Sequence, residues 1–239
     1  MIEAYLYQIV HLYGGRARML REHVGVLHAA SCELFGRPYR PDLKALEERL
    51  QAEHAREHYP EGVSSFIRLE LFASGEEICY GAGVSLYAGY AVRSLRPTAM
   101  TVAYDLPVEA PTTASESAWL VAQQRARTAG FDEAVRVDRN GALVALGEGS
   151  ICAFREGILL LPVVLRTATD VLVKEAAERA GIRYLQHPIR KSEMHLCDEI
   201  FVADHYGLTS LSRLDDKPLM SLRVERLAEA MERLAAKRS

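Results

Sequence analysis

Between Gly130 and Pro162 the chain reads GFDEAVRVDRNGALVALGEGSICAFREGILLLP. Apolar runs of strand length alternate there with turn signals, and no run is long enough for a helix of ordinary length. The pattern predicts strands at Glu133–Asp138, Ala142–Ala145, Ser150–Arg155 and Ile158–Pro162, with Asn140-Gly141 as a hairpin turn. A stretch of this kind commits the chain to a fold that contains a sheet.

The flanks supply the helices. Glu116–Ala129 is predicted helical, with Gly130 placed to close it. Thr169–Ala180 is predicted as a helix ended by Gly181, Ile182–His187 as a strand, Lys191–Leu196 as a short helix and Glu199–Asp204 as a strand. Leu219–Lys237 reads as a terminal amphipathic helix. Toward the start, residues Ile2–Leu12 alternate, turn at Gly14-Gly15 and resume over Arg16–Leu20. Helices are expected at Glu22–Phe35 and Pro41–His58, and strands at Phe66–Phe72, Gly83–Tyr90 and Thr98–Tyr104. Asp105–Thr113 holds two prolines and little periodicity, which marks a linker. The expected organisation is an N-terminal α+β domain over residues 1–105, a linker over 106–115 and a strand-rich C-terminal domain over 116–239.

Composition limits the function classes. A net charge of −3 gives no electrostatic reason to bind nucleic acid or an anionic membrane. No apolar run approaches the ~20 residues that cross a bilayer. MIEAYLYQIVHLY lacks the basic region and cleavage site of a signal peptide. Cys32, Cys79, Cys152 and Cys197 show no metal-ligand spacing, and are expected to be reduced and buried. A soluble cytoplasmic protein is the expectation.

The residues Asp132-Glu133-Ala134, Asp138, Gly141, Ile151, Phe154, Gly157, Leu159 and Pro162 resemble the second-domain core of the class IV aminotransferases, the fold-type IV enzymes of pyridoxal phosphate (PLP). GIRYLQHPIRKSEMHLCDEIFV is similar to a later block of that family, with Cys197 where the family has alanine. GGRARMLREHVGVL is similar to an early block and keeps the family's histidine as His23. The resemblance implies an α+β, two-domain, D-amino acid aminotransferase-like architecture and a homodimer.

It also assigns positions to the cofactor, and there this chain departs from the family. PLP catalysis needs a lysine that forms a Schiff base and then moves the substrate's proton. The family spacing places that lysine at Pro111 or Thr112, and no lysine lies between Lys44 and Lys174. The carboxylate that faces the pyridine nitrogen falls on Ala145, counted back from Ser150, with Glu148 nearby. The phosphate arginine falls on Val26, the phosphate-binding helix start on Thr167-Ala168-Thr169, the arginine that follows on Asp170, and a late threonine on His205. Thr167 to Asp170 reads as a capping box that closes the helix end on itself. The resemblance therefore implies a degenerate homologue, with no catalytic residue and no cofactor expected, that binds a small metabolite or a partner. The alternative is an active PLP-dependent aminotransferase or aminodeoxychorismate lyase-like enzyme with a rearranged site. A third reading is a regulatory subunit that pairs with an active paralogue.

Other constellations have two readings each. Arg68 matches a basic position of the family and suits either a substrate carboxylate or an ion pair between domains. His54 and His58 sit one helical turn apart, but no third metal ligand follows, so a solvated helix face is expected and no metal. Gly81-Ala82-Gly83 lacks the strand and helix of a nucleotide loop and is expected as a strand-end turn. Thr112, Thr113 and Ser115 are expected to start the next helix rather than supply a nucleophile. Tyr5, Tyr7, Tyr87, Tyr90 and Tyr104 suit a cleft lining or core packing.

Overall fold

The computed structural model describes residues 3–59, 62–86 and 89–237. The alternating start forms β1 (Tyr5–Tyr13), which turns at Gly14-Gly15, both at positive φ, into the short β2 (Arg16–Ala17). Helix α1 (Leu20–Phe35) buries Leu27 and Ala30, and Gly36 closes it at φ 65°. Helix α2 (Leu43–Arg56) is capped by the Asp42 carboxylate, which accepts from Lys44 N and Ala45 N. Strands β3 (Ser64–Phe72) and β4 (Glu77–Ser85) complete an antiparallel sheet in the order β2-β1-β3-β4. The helices cover one face of it, packing Leu46 and Leu50 against Leu12, Ile67 and Leu69.

The second sheet begins with β5 (Thr98–Ala103). Helix α3 (Thr113–Thr128) starts on a capping box of Thr112 and Ser115, as expected. The four strands read from the opening motif follow as β6 (Glu133–Val137), β7 (Ala142–Leu146), β8 (Gly149–Arg155) and β9 (Ile158–Leu161). The Asn140-Gly141 turn holds Gly141 at φ 76°. Then come α4 (Ala168–Arg179), β10 (Tyr184–Gln186), β11 (Ile189–Arg190), a 3-10 turn at Lys191–Leu196, β12 (Glu199–Asp204) and β13 (Gly207–Ser210). The short β14 (Arg213–Leu214) and β15 (Lys217–Pro218) precede α5 (Val224–Ala235). The path of this sheet is β10-β9-β8-β7-β6-β5-β14-β15, with β12 branching from β8. Helices α4 and α5 pack Leu172, Val173, Leu227 and Met231 against Phe154, Phe201 and Leu208.

Several expectations change. The strand placed at Gly83–Tyr90 runs over Glu77–Ser85, and Tyr87 lies outside the described residues, as does Ile2. Gly81-Ala82-Gly83 is a bulge inside that strand, not a turn at its end. The pairing steps from Phe66↔Gly83 to Ile67↔Gly81, and a side chain at Gly81 would strike the Tyr59 hydroxyl. β5 lies before the proposed linker yet pairs in parallel with β6, so residues 106–115 do not divide the two sheets. The terminal helix starts at Val224 rather than Leu219, and residues 219–223 after β15 belong to no helix or strand. Cys32 is exposed, whereas Cys152 and Cys197 are buried.

Candidate functional site

The start of α4, the β7–β8 turn, the β12–β13 turn and β1 converge on one small cavity. Pro111, Thr167, Thr169 and His205, four of the positions assigned to PLP, line it together with Tyr7, Gln8, His23, Glu148 and Asp204. Its volume is about 20 Å³, room for about one water molecule.

Each wall has a local cause. Thr167 accepts from Asp170 N at 3.3 Å while the Asp170 carboxylate accepts from Thr167 N at 3.0 Å, the capping box read from the sequence. The same carboxylate accepts from Arg166 N at 2.7 Å and from the Ser150 hydroxyl at 2.9 Å. Asp170 is thus buried and engaged by the protein's own donors, and burial raises its pKa. Gln8 Oε1 accepts from Ala168 N at 3.3 Å and lies 3.2 Å from His23 Nδ1. His23 and His205 are both lowered to about 3 by burial, which keeps the two rings neutral near pH 7. Glu148 Oε1 approaches His205 Nδ1 at 3.3 Å, in a geometry that leaves this nitrogen without a hydrogen bond. Burial raises Glu148, and burial with the neighbouring Glu148 raises Asp204 to about 7.

The assigned cofactor positions do not fit PLP held through an imine. Pro111 offers no amine, and its carbonyl accepts Tyr7 N at 3.0 Å. Thr112 is spent on capping α3. The chain has five lysines, Lys44, Lys174, Lys191, Lys217 and Lys237, and none lines the cavity. Lys174 pairs with Glu178 at 3.2 Å and Lys191 with Asp215 at 3.1 Å. Ala145 is buried and stands directly opposite Arg136 on β6, so a guanidinium neighbours the place where a pyridinium needs a carboxylate. Among the described residues no arginine lines the cavity to take a phosphate, and Val26 sits half-buried on α1 outside its lining.

Arg68 is fully engaged elsewhere. Its Nε donates to Glu70 at 2.8 Å, its Nη1 and Nη2 donate to the Glu116 carboxylate at 2.9 and 2.7 Å, and Nη2 also meets the Tyr5 hydroxyl at 3.1 Å. The Tyr7 ring lies 3.8 Å from the guanidinium. This geometry is the ion-pair reading, a tie between the first sheet and α3. His54 Nδ1 meets the Ser65 hydroxyl at 2.8 Å. The described residues contain no cluster of metal-ligating side chains.

No family model matches the sequence, and no curated protein matches it. Solved structures do match. A branched-chain aminotransferase from Thermoproteus uzoniensis superposes with a TM-score of 0.79 at 19% identity, covering 98% of this chain and 86% of that one. The fold is that of the class IV aminotransferases. An aminotransferase from Brucella abortus bound to PLP has a TM-score of 0.78 at 16% identity, over 97% of this chain and 89% of that one. A candidate 4-amino-4-deoxychorismate lyase from Legionella pneumophila gives 0.75 at 12% identity, over 98% and 91%. These findings correct one expectation. A chain without a cofactor was expected, yet solved structures of the class IV aminotransferase fold carry PLP, so PLP is the cofactor against which this cleft has to be judged.

Sequence reasoning missed Gln8 and Asp204 as cavity residues, whereas Tyr7, read as either a cleft lining or core packing, lines it. Gln8 carried a signal, being a polar residue amid the apolar YLYQIV run. Asp204 and Glu148 sit at hairpin turns, whose aim depends on the register of the strands they join.

Proposed function

We propose that this chain is an aminotransferase class IV-like protein that no longer works through a lysine Schiff base and binds a small metabolite in its cleft. One observation carries the reading: none of the five lysines reaches the cavity where the assigned cofactor positions meet. PLP, the ligand of one structural neighbour, is the first molecule to test; the cavity, with room for about one water, would have to widen to hold it, and without a covalent bond. The second reading is an active PLP-dependent aminotransferase or aminodeoxychorismate lyase-like enzyme, which the neighbours favour. It requires one of the five lysines to enter a cleft that none of them lines.

Incubation with PLP, borohydride reduction and peptide mapping separate the two. The first reading expects no stoichiometric pyridoxyl-lysine. A single lysine modified at full yield overturns it and establishes the second. We further propose a homodimer in the cytoplasm, a setting that the four free cysteines support. Light scattering at micromolar concentration should then give about twice 26.6 kDa, and a monomer mass would refute that assembly. No helix among the described residues is long and apolar enough to cross a membrane.

A further inference from the structure

A second cavity, of about 450 Å³, opens beside β7, β11 and the segment that leads from β9 to α4. It is of the size that holds small organic ligands. None of the positions assigned to PLP lines it. Its walls are largely apolar, with Leu143, Val144, Ile151, Pro162 and Ile189 among them. One buried cation belongs to the wall: Arg166, 2% exposed.

The charges around Arg166 are unevenly met. Its Nε donates to the Glu109 carbonyl at 2.6 Å and lies 3.9 Å from the Glu109 carboxylate. That carboxylate is held by Arg136, which is 1% exposed. Asp170 also attracts Arg166; its Oδ2 is engaged by backbone amides and Ser150, while its Oδ1 has no hydrogen-bond partner. The two buried guanidiniums thus both meet the Glu109 carboxylate, and Arg166 Nη1, Arg136 Nε and Arg136 Nη1 have no hydrogen-bond partner. Buried donors normally find one. Burial and the repulsion of Arg136 lower the pKa of Arg166, which a bound anion would oppose. Asp138, also in the wall, is occupied by the turn, accepting from Asn140 N and Ala142 N.

We propose that this cavity is a binding site for a small carboxylate with an apolar body, the carboxylate meeting Arg166 and the body lying against Leu143, Val144 and Ile151. The apolar walls disfavour inorganic phosphate, which has charge without a body.

The test is a calorimetric titration of the full chain with benzoate, its neutral analogue benzyl alcohol, and inorganic phosphate. Benzoate should bind saturably, and benzyl alcohol and phosphate at least about tenfold more weakly, the factor that one hydrogen bond to a charged group supplies. Arg166→Met should bring benzoate down to the level of benzyl alcohol. Because Arg166 is buried and its loss can unfold the chain, Val144→Trp gives a second variant, which fills the cavity and should abolish benzoate binding with Arg166 intact. PLP should not compete. The proposal is overturned by no saturable benzoate binding, by equal binding of the alcohol or of phosphate, by a Val144→Trp chain that binds as before, or by competition from PLP, which would put benzoate in the cofactor cleft.

Discussion

Asp170 shows how one side chain can occupy a helix start from within the chain. Helix starts attract anions through free N–H groups and a partial positive charge. Here a carboxylate built into the chain takes that place. Its removal should cost more than a surface cap, because Asp170→Ala leaves Arg166 N, Thr167 N and the Ser150 hydroxyl buried without their acceptor. A loss of about 3 kcal/mol is expected, read from the shift of a urea unfolding curve. Asp204 gives a pH-dependent counterpart. Its pKa is raised to about 7 by burial and by Glu148, so the folded state holds a proton that the unfolded state has released. That contribution is fully present below the unfolded value near 3.8 and is lost as the pH rises through 7. Asp204→Asn can keep the acceptor for Tyr206 N while removing the charge. It should raise the unfolding midpoint clearly at pH 8, less at pH 5, and leave it nearly unchanged at pH 3; an equal effect at pH 3 and pH 8 would rule out the buried charge as the cause.

At the scale of elements, the strands and helices from α3 to β9 were legible because each carries its own period and its own stop signal. Gly130, Gly141 and Gly157 all sit at positive φ where the sequence placed turns. Three features were not legible. The bulge at Gly81 depends on Tyr59, which packs from a distant part of the chain. The partners of β5 are set by long-range pairing, which leaves no local trace. Arg136 is a charge inside an apolar strand, and nothing near it in the sequence names Glu109 as its partner. The lysine gap was legible because an alignment slip of one or two residues cannot supply a lysine. The size of the cavity was not, since it depends on how Gln8, Glu148 and Asp204 are aimed. Gly207, at φ 125° at the start of β13, is held close to the Ala91 carbonyl, which an added Cβ would meet at 2.2 Å. Gly207→Ala should therefore cost about 2 kcal/mol or more, from strain and displaced backbone, and lower the melting temperature. An unchanged Tm would mean that the Ala91 segment yields freely.

For the whole molecule, the Arg68–Glu116 pair is the main polar tie between the first sheet and α3. Arg68 is almost buried while Glu116 is a third exposed, so the loss of Glu116 strands a cation that water reaches poorly. Glu116→Ala should cost about 2 kcal/mol, less than for a fully buried pair because Glu70 still holds Arg68 and solvent screens Glu116. Arg68→Met should be milder in the Glu116→Ala background than alone, and a double-mutant cycle measures that coupling. Additive effects would show that the two units hold together without it.

The pairing of β5 has a consequence for how the chain is made. One neighbour, β6, leaves the ribosome about thirty residues after β5, but the other, β14, follows more than a hundred residues later. Synthesis proceeds at ~5–20 residues per second. For several seconds, therefore, one edge of β5 in the nascent chain has no partner, a template on which another strand can add. The first sheet has all four of its strands by Ser85 and can form in that interval. A nascent chain halted before Arg213 would thus carry a finished first layer beside an open second one, the state in which the free edge of β5 is most open to another strand.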